Sequence, residues 1–274
     1  MEFGFTKMHG AGNDFIVIND MDERCRLSSA GIAGLCSRHR GIGADGLILL
    51  RPSETGSFAM RYYNSDGGEA DMCGNGARCA AAFAHEAGVA DTSMTFESRA
   101  GLVRADILEG GVRVGVGDVR GLKLGMRIGA ADRPVHFGVC GVPHAVVVLD
   151  DVREVSREEF IRFARAIRRD AAFAPAGANV NIATVGGRGR CVYRTYERGV
   201  EDETLACGTG AVVIATVLVH LGLADSPVEC ETRGGDNLRV ALAKTPDGAM
   251  GCLLTGPVAV SFRGTFLIED YEQP

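Results

Sequence analysis

The stretch ADMCGNGARCAAAFAHEAGVAD (residues 70–91) places a cysteine and two glycines ahead of an alanine-rich helical segment. The stretch TLACGTGAVVIATVLVHLGLAD (204–225) repeats this arrangement at a constant offset of 134 residues, without a gap. Besides Cys73 and Cys207, three glycines, three alanines and an aspartate are identical in the two stretches. The match continues downstream, where Glu, Arg and Gly recur at 97, 99 and 101 and at 231, 233 and 235. Self-similarity over this length indicates an internal duplication.

Short runs typical of β-strands surround each cysteine-headed helix. In the first copy they are DFIVIND (14–20), GLILLR (46–51), MTFES (94–98) and GVRVGVG (111–117). In the second copy they are HAVVVLDD (144–151), NVNIATV (179–185), RCVYRTYE (190–197), VECETR (228–233) and LRVALA (238–243). Many strands and few helices predict an α+β fold of two pseudo-symmetric domains, each a mixed or antiparallel sheet wrapped around a central helix.

The boundary between the two copies is predicted at GLKLGMR (121–127), a stretch punctuated by glycines. This gives an N-terminal half at 1–120 and a C-terminal half at 121–263, with a strand at 264–274 returning to the first half. An additional amphipathic helix is predicted to begin at Ser156, because Glu159 completes a capping box.

Composition narrows the classes of function. The 274 residues are 46% hydrophobic, which favours a well-packed core, and the net charge of −6 argues against nucleic acid as a partner. No apolar run is long enough to span a membrane, and MEFGFTKMHG lacks the pattern of a signal peptide, so we expect a cytoplasmic protein. Nine cysteines without a CxxC pair indicate free thiols, most of them buried, rather than disulfides or a metal site.

The chemistry of the duplicated motif follows from the position of its cysteine. A helix start leaves backbone N–H groups unpaired and carries roughly half a positive charge, so it favours a thiolate and can hold a carboxylate. Two such motifs acting on one carboxylic acid fit inversion at the α-carbon: one thiolate removes a proton from one face, while the other thiol delivers a proton to the opposite face. The alternative is a pair of buried cysteines inherited by duplication. Cys79 aligns with Val213 in the other copy, so the cysteines retained in both copies are those at the helix starts, Cys73 and Cys207. These two are the predicted catalytic residues.

A second glycine motif is interpreted as structural. GIGADG (41–46) matches GxGxxG, but it precedes a strand-like run, whereas a dinucleotide fingerprint follows a strand and opens a helix. A tight turn is therefore expected here.

The chain resembles the diaminopimelate epimerase family over almost its full length. The resemblance rests on KMHGAGNDF (7–15), NSDGGEADMCGNGARC (64–79), ANVNI (178–182), YERGVEDETLACGTG (196–210) and TGPVAV (255–260). It implies an isomerase that converts LL- to meso-diaminopimelate without pyridoxal phosphate, in lysine and cell-wall precursor biosynthesis, with Cys73 and Cys207 as the two bases. It also implies residues that bind substrate: Asn13, Asn64, Gly74, Asn75, Asn181, Glu197, Arg198, Gly208 and Thr209.

The types of these residues suit a substrate with an amino-acid group at each end. An arginine such as Arg198 can hold the distal carboxylate with two hydrogen bonds, and asparagine can both donate and accept. The resemblance further implies that His144 supports one catalytic cysteine. Two positions depart from the family pattern: Val142 stands where many members have Asn, and Gly46 where many have Gln.

Three alternatives remain open from the residues alone. The first is a racemase or epimerase of another amino acid, of the proline type. The second is a thiol redox protein that cycles Cys73 and Cys207 through a disulfide. The third is a module that binds amino acids without catalysis. No metal, pyridoxal phosphate or nucleotide site is expected, the partner is the small-molecule substrate, and the assembly considered is a homodimer.

Overall fold

The two cysteine-headed helices begin at the predicted points in the computed structural model, which describes residues 1–244 and 250–272. Cys73 is the N-cap of the helix Gly74–Glu86, and Cys207 is the N-cap of the helix Gly208–His220. The chain divides into two units. The first joins Met1–Val114 with the segment that begins at Gly256, and the second is Gly115–Thr255.

The strands of the first unit are β1 (Glu2–Gly10), β2 (Asn13–Asn19), β3 (Gly46–Arg51), β4 (Ala59–Asn64), β5 (Glu69–Ala70), β6 (Ser93–Ser98), β7 (Gly101–Leu108) and β8 (Gly111–Gly115), together with β18 (Ala259–Leu267). The strands of the second unit are β9 (Arg120–Met126), β10 (Val135–Cys140), β11 (Val142–Val148), β12 (Asn179–Val185), β13 (Arg190–Glu197), β14 (Asp202–Thr204), β15 (Val228–Glu231), β16 (Asn237–Lys244) and β17 (Met250–Gly256). The α-helices are α1 (Ser29–Cys36), α2 (Gly74–Glu86), α3 (Arg157–Arg168) and α4 (Gly208–His220).

The strand pairings of the two units match one for one. In the first unit, β1 is antiparallel to β2 and β18, β2 is parallel to β3, β3 is antiparallel to β4, and β4 is parallel to β6. In the second unit, β10 is antiparallel to β9 and β11, β11 is parallel to β12, β12 is antiparallel to β13, and β13 is parallel to β15. The predicted α+β duplication is therefore confirmed.

Each unit carries one helix among its strands and one beside them. Helix α2 packs on strands β1, β2, β3, β4 and β7, and α4 packs on β10, β11, β12, β15 and β16. Residues Ala211–Leu218 of α4 are all buried, as expected for a helix enclosed on every side. The flanking helix of the first unit is α1, which contacts β3, and that of the second is α3, which contacts β12.

Helix α3 forms as its capping box predicts. The Ser156 hydroxyl accepts a hydrogen bond from the Glu159 backbone N–H, and the Glu159 carboxylate accepts one from the Ser156 N–H. Phe160, Ala164 and Ile167 pack from this helix into the core of the second unit.

The boundaries differ in detail from those expected. Residues 121–126 lie in strand β9, inside the second unit, rather than in a connection. The segment of the first unit that follows the second begins at Gly256, earlier than residue 264, and its residues 273 and 274 lie outside the described part of the chain. Where the halves separate as independently folding domains stays a prediction. Within residues 1–244 and 250–272, no helix combines the length and the apolar character needed to cross a membrane.

Candidate active site

The two candidate catalytic cysteines occupy equivalent backbone positions. Cys73 has φ −134° and ψ 123°, and Cys207 has φ −127° and ψ 108°, both extended. Neither side chain makes a capping hydrogen bond to its own helix. Each cysteine thus stands at a helix N-terminus whose first-turn N–H groups its thiol does not cap, and a helix N-terminus is an arrangement that can bind an anion.

In the first unit, the thiol of Cys73 lies against Asn13, the first residue of β2. Cys73 Sγ is 3.6 Å from Asn13 Oδ1, and Asn75 Nδ2 donates to the same oxygen at 3.2 Å. Asn13 Nδ2 donates to Asp45 Oδ2 at 2.7 Å, which fixes the orientation of the Asn13 amide because a carboxylate only accepts. The structure therefore joins the predicted residues Asn13, Cys73 and Asn75 in one cluster.

The amide of Asn75 is oriented by a buried arginine of its own helix. Arg78 has no exposed surface, and its Nη2 donates to Asn75 Oδ1 at 3.0 Å. Because a guanidinium only donates, the NH₂ group of Asn75 must face Asn13. Arg78 was not among the sequence predictions, although its place one turn after the cysteine is a signal that could have found it.

Charges anchor the far end of this cluster. Asp14 accepts from Arg38 at 2.8 Å and pairs with Lys7 at 2.8 Å, and Arg38 also contacts Asp45 at 2.8 Å. Burial works against ionisation of Asp14, but the hydrogen bonds from Arg38 and Lys7 outweigh it and hold the pKa of this carboxyl well below its usual range. Asp45, which holds Asn13, is thereby fixed in place.

In the second unit, a threonine links the thiol of Cys207 to a buried histidine. Thr209 Oγ1 lies 3.5 Å from Cys207 Sγ and 3.0 Å from His144 Nε2. His144 has no exposed surface, and burial, reinforced by the charge of Arg198, lowers its pKa to about 3. The imidazole is therefore neutral at physiological pH.

Asn181 holds the other side of this histidine. Its Nδ2 donates to Ala145 O at 2.8 Å and lies 3.2 Å from His144 Nδ1, while its Oδ1 accepts from Thr195 Oγ1 at 2.8 Å. Asn181 has no exposed surface. The structure thus brings the predicted residues Asn181, His144, Thr209 and Cys207 together, with Asn181 placed behind the histidine.

A tyrosine that the sequence analysis missed supports the second cysteine. Tyr193 is buried on β13, and its hydroxyl donates to Cys207 O at 2.9 Å and accepts from Cys207 N at 3.4 Å. Burial raises the pKa of this phenol well above its usual value, so the group stays neutral. Tyr193 fixes the backbone of Cys207 at the helix start.

Glu197 is the last residue of β13 and Arg198 follows it, in the same unit as His144. Thr204 Oγ1 donates to Glu197 Oε1 at 2.5 Å. The Arg198 backbone N–H donates to Asn179 Oδ1 at 2.8 Å, and its guanidinium donates to Ala176 O at 3.2 Å. Asn179, which the sequence analysis did not select, therefore positions Arg198.

Gly46 and its neighbours explain one departure from the family pattern. A β-carbon added at Gly46 would stand 2.5 Å from Tyr63 O and 2.7 Å from Tyr62 Cε2, so a side chain cannot be placed here without displacing backbone. The Tyr62 hydroxyl donates to Asn64 Oδ1 at 2.9 Å. Asn64 is exposed at the end of β4. Val142 is half-buried as the first residue of β11.

The other seven cysteines are buried and free, as the sequence indicates for thiols without a chemical role. Burial raises the pKa of Cys25 to about 11 and the pKa values of Cys36, Cys79 and Cys140 to about 12. These thiols stay protonated near neutral pH.

Comparison of this chain with known proteins identifies related proteins along most of its length. The family model described as diaminopimelate epimerase matches residues 5–121 and 138–258. A diaminopimelate epimerase of Aquifex aeolicus is 39% identical, with 98% of this chain and 99% of that protein covered. One of Chlorobaculum tepidum is 37% identical, with 95% of this chain and 100% of that protein covered.

Solved structures share the fold at much lower identity. A PhzF-family phenazine biosynthesis protein of Bacillus anthracis has a TM-score of 0.73 at 14% identity, over 97% of this chain and 99% of its own. A probable proline racemase of Agrobacterium radiobacter has a TM-score of 0.72 at 16% identity, over 98% and 94%. These two show the fold alone. The relatives at 37–39% identity, aligned over nearly every residue, show that this chain belongs to the diaminopimelate epimerase family.

Proposed function

We propose that Cys73 and Cys207 are the acid–base pair of this enzyme, an isomerase that interconverts LL- and meso-diaminopimelate in lysine and cell-wall precursor biosynthesis. The observation that carries the proposal is the equivalence of the two cysteines. Each caps a helix from an extended backbone and leaves the first-turn N–H groups without a side-chain cap from its thiol. A reaction that inverts one carbon needs matched groups for its two faces.

The proton transfers balance between the two sulfurs. One thiolate takes the α-hydrogen as a proton, so that its S–H bond forms while the C–H bond breaks and the electron pair passes into the α-carboxylate. The other thiol then gives its proton to the opposite face of the same carbon and becomes a thiolate. Both transfers are made by the chain itself, so the mechanism needs no imine-forming cofactor.

Backbone N–H groups stabilise the charge that develops on the reacting carboxylate. Gly74 and Asn75 begin helix α2, and Gly208 and Thr209 begin α4. The hydrogen bonds from their N–H groups strengthen as charge builds up on the substrate oxygens, which become better acceptors, and this is how preorganised donors lower a barrier.

The unreactive end of diaminopimelate carries its own carboxylate and ammonium groups. We assign the carboxylate to the guanidinium of Arg198 and the ammonium to Glu197, with Asn64 as a further polar contact. Arg198 suits the first role because Asn179 and Ala176 already fix its backbone and side chain, so little conformational freedom is lost on binding.

Proton exchange followed by NMR tests the function. Reduced protein is mixed with LL-diaminopimelate in D₂O without added cofactor, and deuterium entry at the α-carbon is followed together with the appearance of the meso isomer. We expect exchange with inversion, and its loss in Cys73→Ala and in Cys207→Ala. Binding of substrate should persist in both variants. Exchange of proline, with diaminopimelate left untouched, would replace the substrate and keep the thiol chemistry.

Two features of the cellular setting are also proposed. A cytoplasmic location is supported by the nine free cysteines, which suit a reducing compartment. A homodimer is the assembly we propose, and light scattering of the purified protein tests it through the measured mass.

A further inference from the structure

The hydrogen-bond partner of Cys73 is an acceptor. Arg78 Nη2 donates to Asn75 Oδ1, Asn75 Nδ2 donates to Asn13 Oδ1, and Asn13 Nδ2 donates to Asp45. Because a guanidinium fixes one end of this chain and a carboxylate fixes the other, neither amide can be reversed. The atom presented to Cys73 Sγ is therefore the carbonyl oxygen of Asn13, at 3.6 Å, which can bind S–H but not a thiolate.

The hydrogen-bond partner of Cys207 is a donor. Asn181 Nδ2 must be the amide nitrogen, because the atom it contacts at 2.8 Å is the backbone carbonyl oxygen of Ala145. The same NH₂ group faces His144 Nδ1, which is therefore the unprotonated ring nitrogen, and the ring proton lies on Nε2. His144 Nε2–H then donates to Thr209 Oγ1 at 3.0 Å.

The Thr209 hydroxyl keeps its own proton, and Cys207 Sγ lies 3.5 Å away to accept it. Thr195 completes the chain from behind by donating to Asn181 Oδ1. Every donor from Thr195 through Asn181, His144 and Thr209 thus points along one direction, toward the sulfur of Cys207. Hydrogen bonding to the charged form of a group favours that form.

We propose that these opposite hydrogen-bond polarities set the resting protonation state of the enzyme, with Cys207 as the thiolate and Cys73 as the thiol. Asn181 and Thr195 act as positioning residues, because they hold the tautomer and the orientation of His144 without contact to the sulfur. The helix N-terminus is common to both cysteines, so it does not distinguish them. The two cysteines differ in the side chain that contacts the sulfur, which is Asn13 at Cys73 and Thr209 at Cys207.

Other titratable or charged groups lie around each of the two sites. Around Cys207, His144 on β11 and Tyr193 on β13 are both neutral. Around Cys73, the guanidinium of Arg78 opposes the assignment, but its Nη groups are engaged by Asn75 Oδ1 and by Gly74 O.

The remaining groups at the Cys73 end do not reverse this balance. Cys79, the other titratable group on the same helix, is held protonated by burial. Beyond Asn13, the carboxylates of Asp14 and Asp45 are paired with Lys7 and Arg38, so these four charges offset one another.

The assignment has a consequence that rests on the proposed function. The resting enzyme accepts the isomer whose α-hydrogen faces Cys207, and each such turnover leaves the charge on Cys73. Before the next turnover in the same direction, the proton must return to Cys73 and leave Cys207. Because the hydrogen bonds favour the resting form, this reset is downhill.

Titration of the thiolates by ultraviolet absorbance tests the assignment without substrate. Full-length wild type is compared with Cys73→Ser and Cys207→Ser, each checked for native circular dichroism. We expect the thiolate that forms at the lowest pH to disappear in Cys207→Ser and to persist in Cys73→Ser. Burial raises the pKa values of Cys36, Cys79 and Cys140 to about 12, and all cysteines that the two variants share cancel in the differences. Loss of the early thiolate in Cys73→Ser, or two thiols that titrate together, would overturn the assignment.

The hydrogen-bond chain is tested separately by matched variants. Thr209→Val removes the donor and should move the Cys207 titration up by about one to two pH units, while Thr209→Ser keeps it in place. Thr195→Val should move the Cys207 titration in the same direction and Thr195→Ser should restore it, as a purely structural role would not. The Cys73 titration should not change in any of the four. A Thr209→Val titration identical to wild type would remove the chain from the explanation.

The thiolate titrations and the proton-exchange experiment test different claims. A reversed or unresolved titration in a protein that epimerises diaminopimelate refutes the resting assignment alone. A titration as expected in a protein that exchanges no amino acid refutes the proposed function and leaves the polarity of the two sites standing.

Discussion

The hydroxyl of Tyr62 donates a hydrogen bond to Oδ1 of Asn64 at 2.9 Å, at the end of the strand that leads to the first cysteine helix. This contact fixes the amide of Asn64 so that its NH₂ group is the end available to a ligand. The ring of Tyr62 packs edge-on against Phe15 and closes over Gly46, which leaves no room for a side chain there. In this chain, the ring of Tyr62 thus occupies the space beside residue 46.

Replacement of Tyr62 by phenylalanine tests this role. Without the hydroxyl, Asn64 is free to turn, and we expect KM for diaminopimelate to rise by about tenfold with kcat nearly unchanged. Tyr63→Phe is the matched control, because it removes a hydroxyl from the adjacent residue, which alternation places on the other face of the strand. An unchanged KM in Tyr62→Phe would show that Asn64 needs no support from this tyrosine.

Gly76 and Gly210, which follow the two proposed catalytic cysteines, should differ in how well they tolerate a side chain. A β-carbon at Gly210 would stand 2.6 Å from Asn181 Oδ1 and 3.3 Å from Cys207 Sγ, whereas one at the equivalent Gly76 would meet the flexible end of Ile48 at 3.2 Å. We expect Gly210→Ala to lower kcat by about 100-fold, because it displaces the groups around the sulfur. Gly76→Ala should lose much less. Steady-state rates of the two variants provide the comparison, and equal losses would contradict it.

Asn179 should matter through Arg198. Asn179→Ala leaves the Arg198 backbone N–H without its acceptor, and we expect KM for diaminopimelate to rise by about tenfold. Asn179→Asp retains an acceptor oxygen and should recover most of the affinity. If both variants bind substrate like wild type, Arg198 is positioned by other contacts.

Acid should destabilise the protein partly through His144. Its folded-state pKa of about 3 lies below the ordinary value of 6.5, so the unfolded chain binds a proton that the folded chain does not. Stability from this group is complete above about pH 6.5 and declines as the pH falls, by up to about 1.4 kcal/mol per pH unit. Urea unfolding of wild type and His144→Gln between neutral pH and pH 4 measures the difference. The wild type should lose more stability than the variant over this range, and parallel losses would contradict the assignment.

Local patterns were sufficient to predict much of the architecture. The starts of α2, α3 and α4 follow from cap residues within four positions of each helix, and strands such as Gly46–Arg51 and Asn179–Val185 read as continuous β-type runs. Helix α1 was missed because its sequence SAGIAGLC contains two glycines, which weaken any helical signal. Strands β1 and β18 pair across almost the whole chain. A strand returning to the first half was predicted at 264–274, but no local pattern gave its start at Ala259 or its partner β1.

The candidate site, like the fold, was predictable only where local sequence patterns report on it. The cysteines and the first-turn residues follow from the repeated motif, but Asn179 and Asn181 alternate along one strand and share a face, so the pattern cannot tell which one supports Arg198 and which one supports His144. The filling of the space at Gly46 by Tyr62 depends on the register between β3 and β4. Such details arise from pairing between strands, which composition and spacing do not encode.

The pairing of β1 with β18 also orders the events of biosynthesis. The first unit needs residues from both sides of the second, because Glu2 lies opposite Leu267 and Phe3 opposite Phe266 in its sheet. On a ribosome, all strands of Gly115–Thr255 are made before β18 emerges, although the Met1–Val114 segment was made first. The half that carries Cys207 can therefore reach its final structure while the half that carries Cys73 still waits with an open sheet edge. We therefore expect the second unit to complete its sheet before the first unit does.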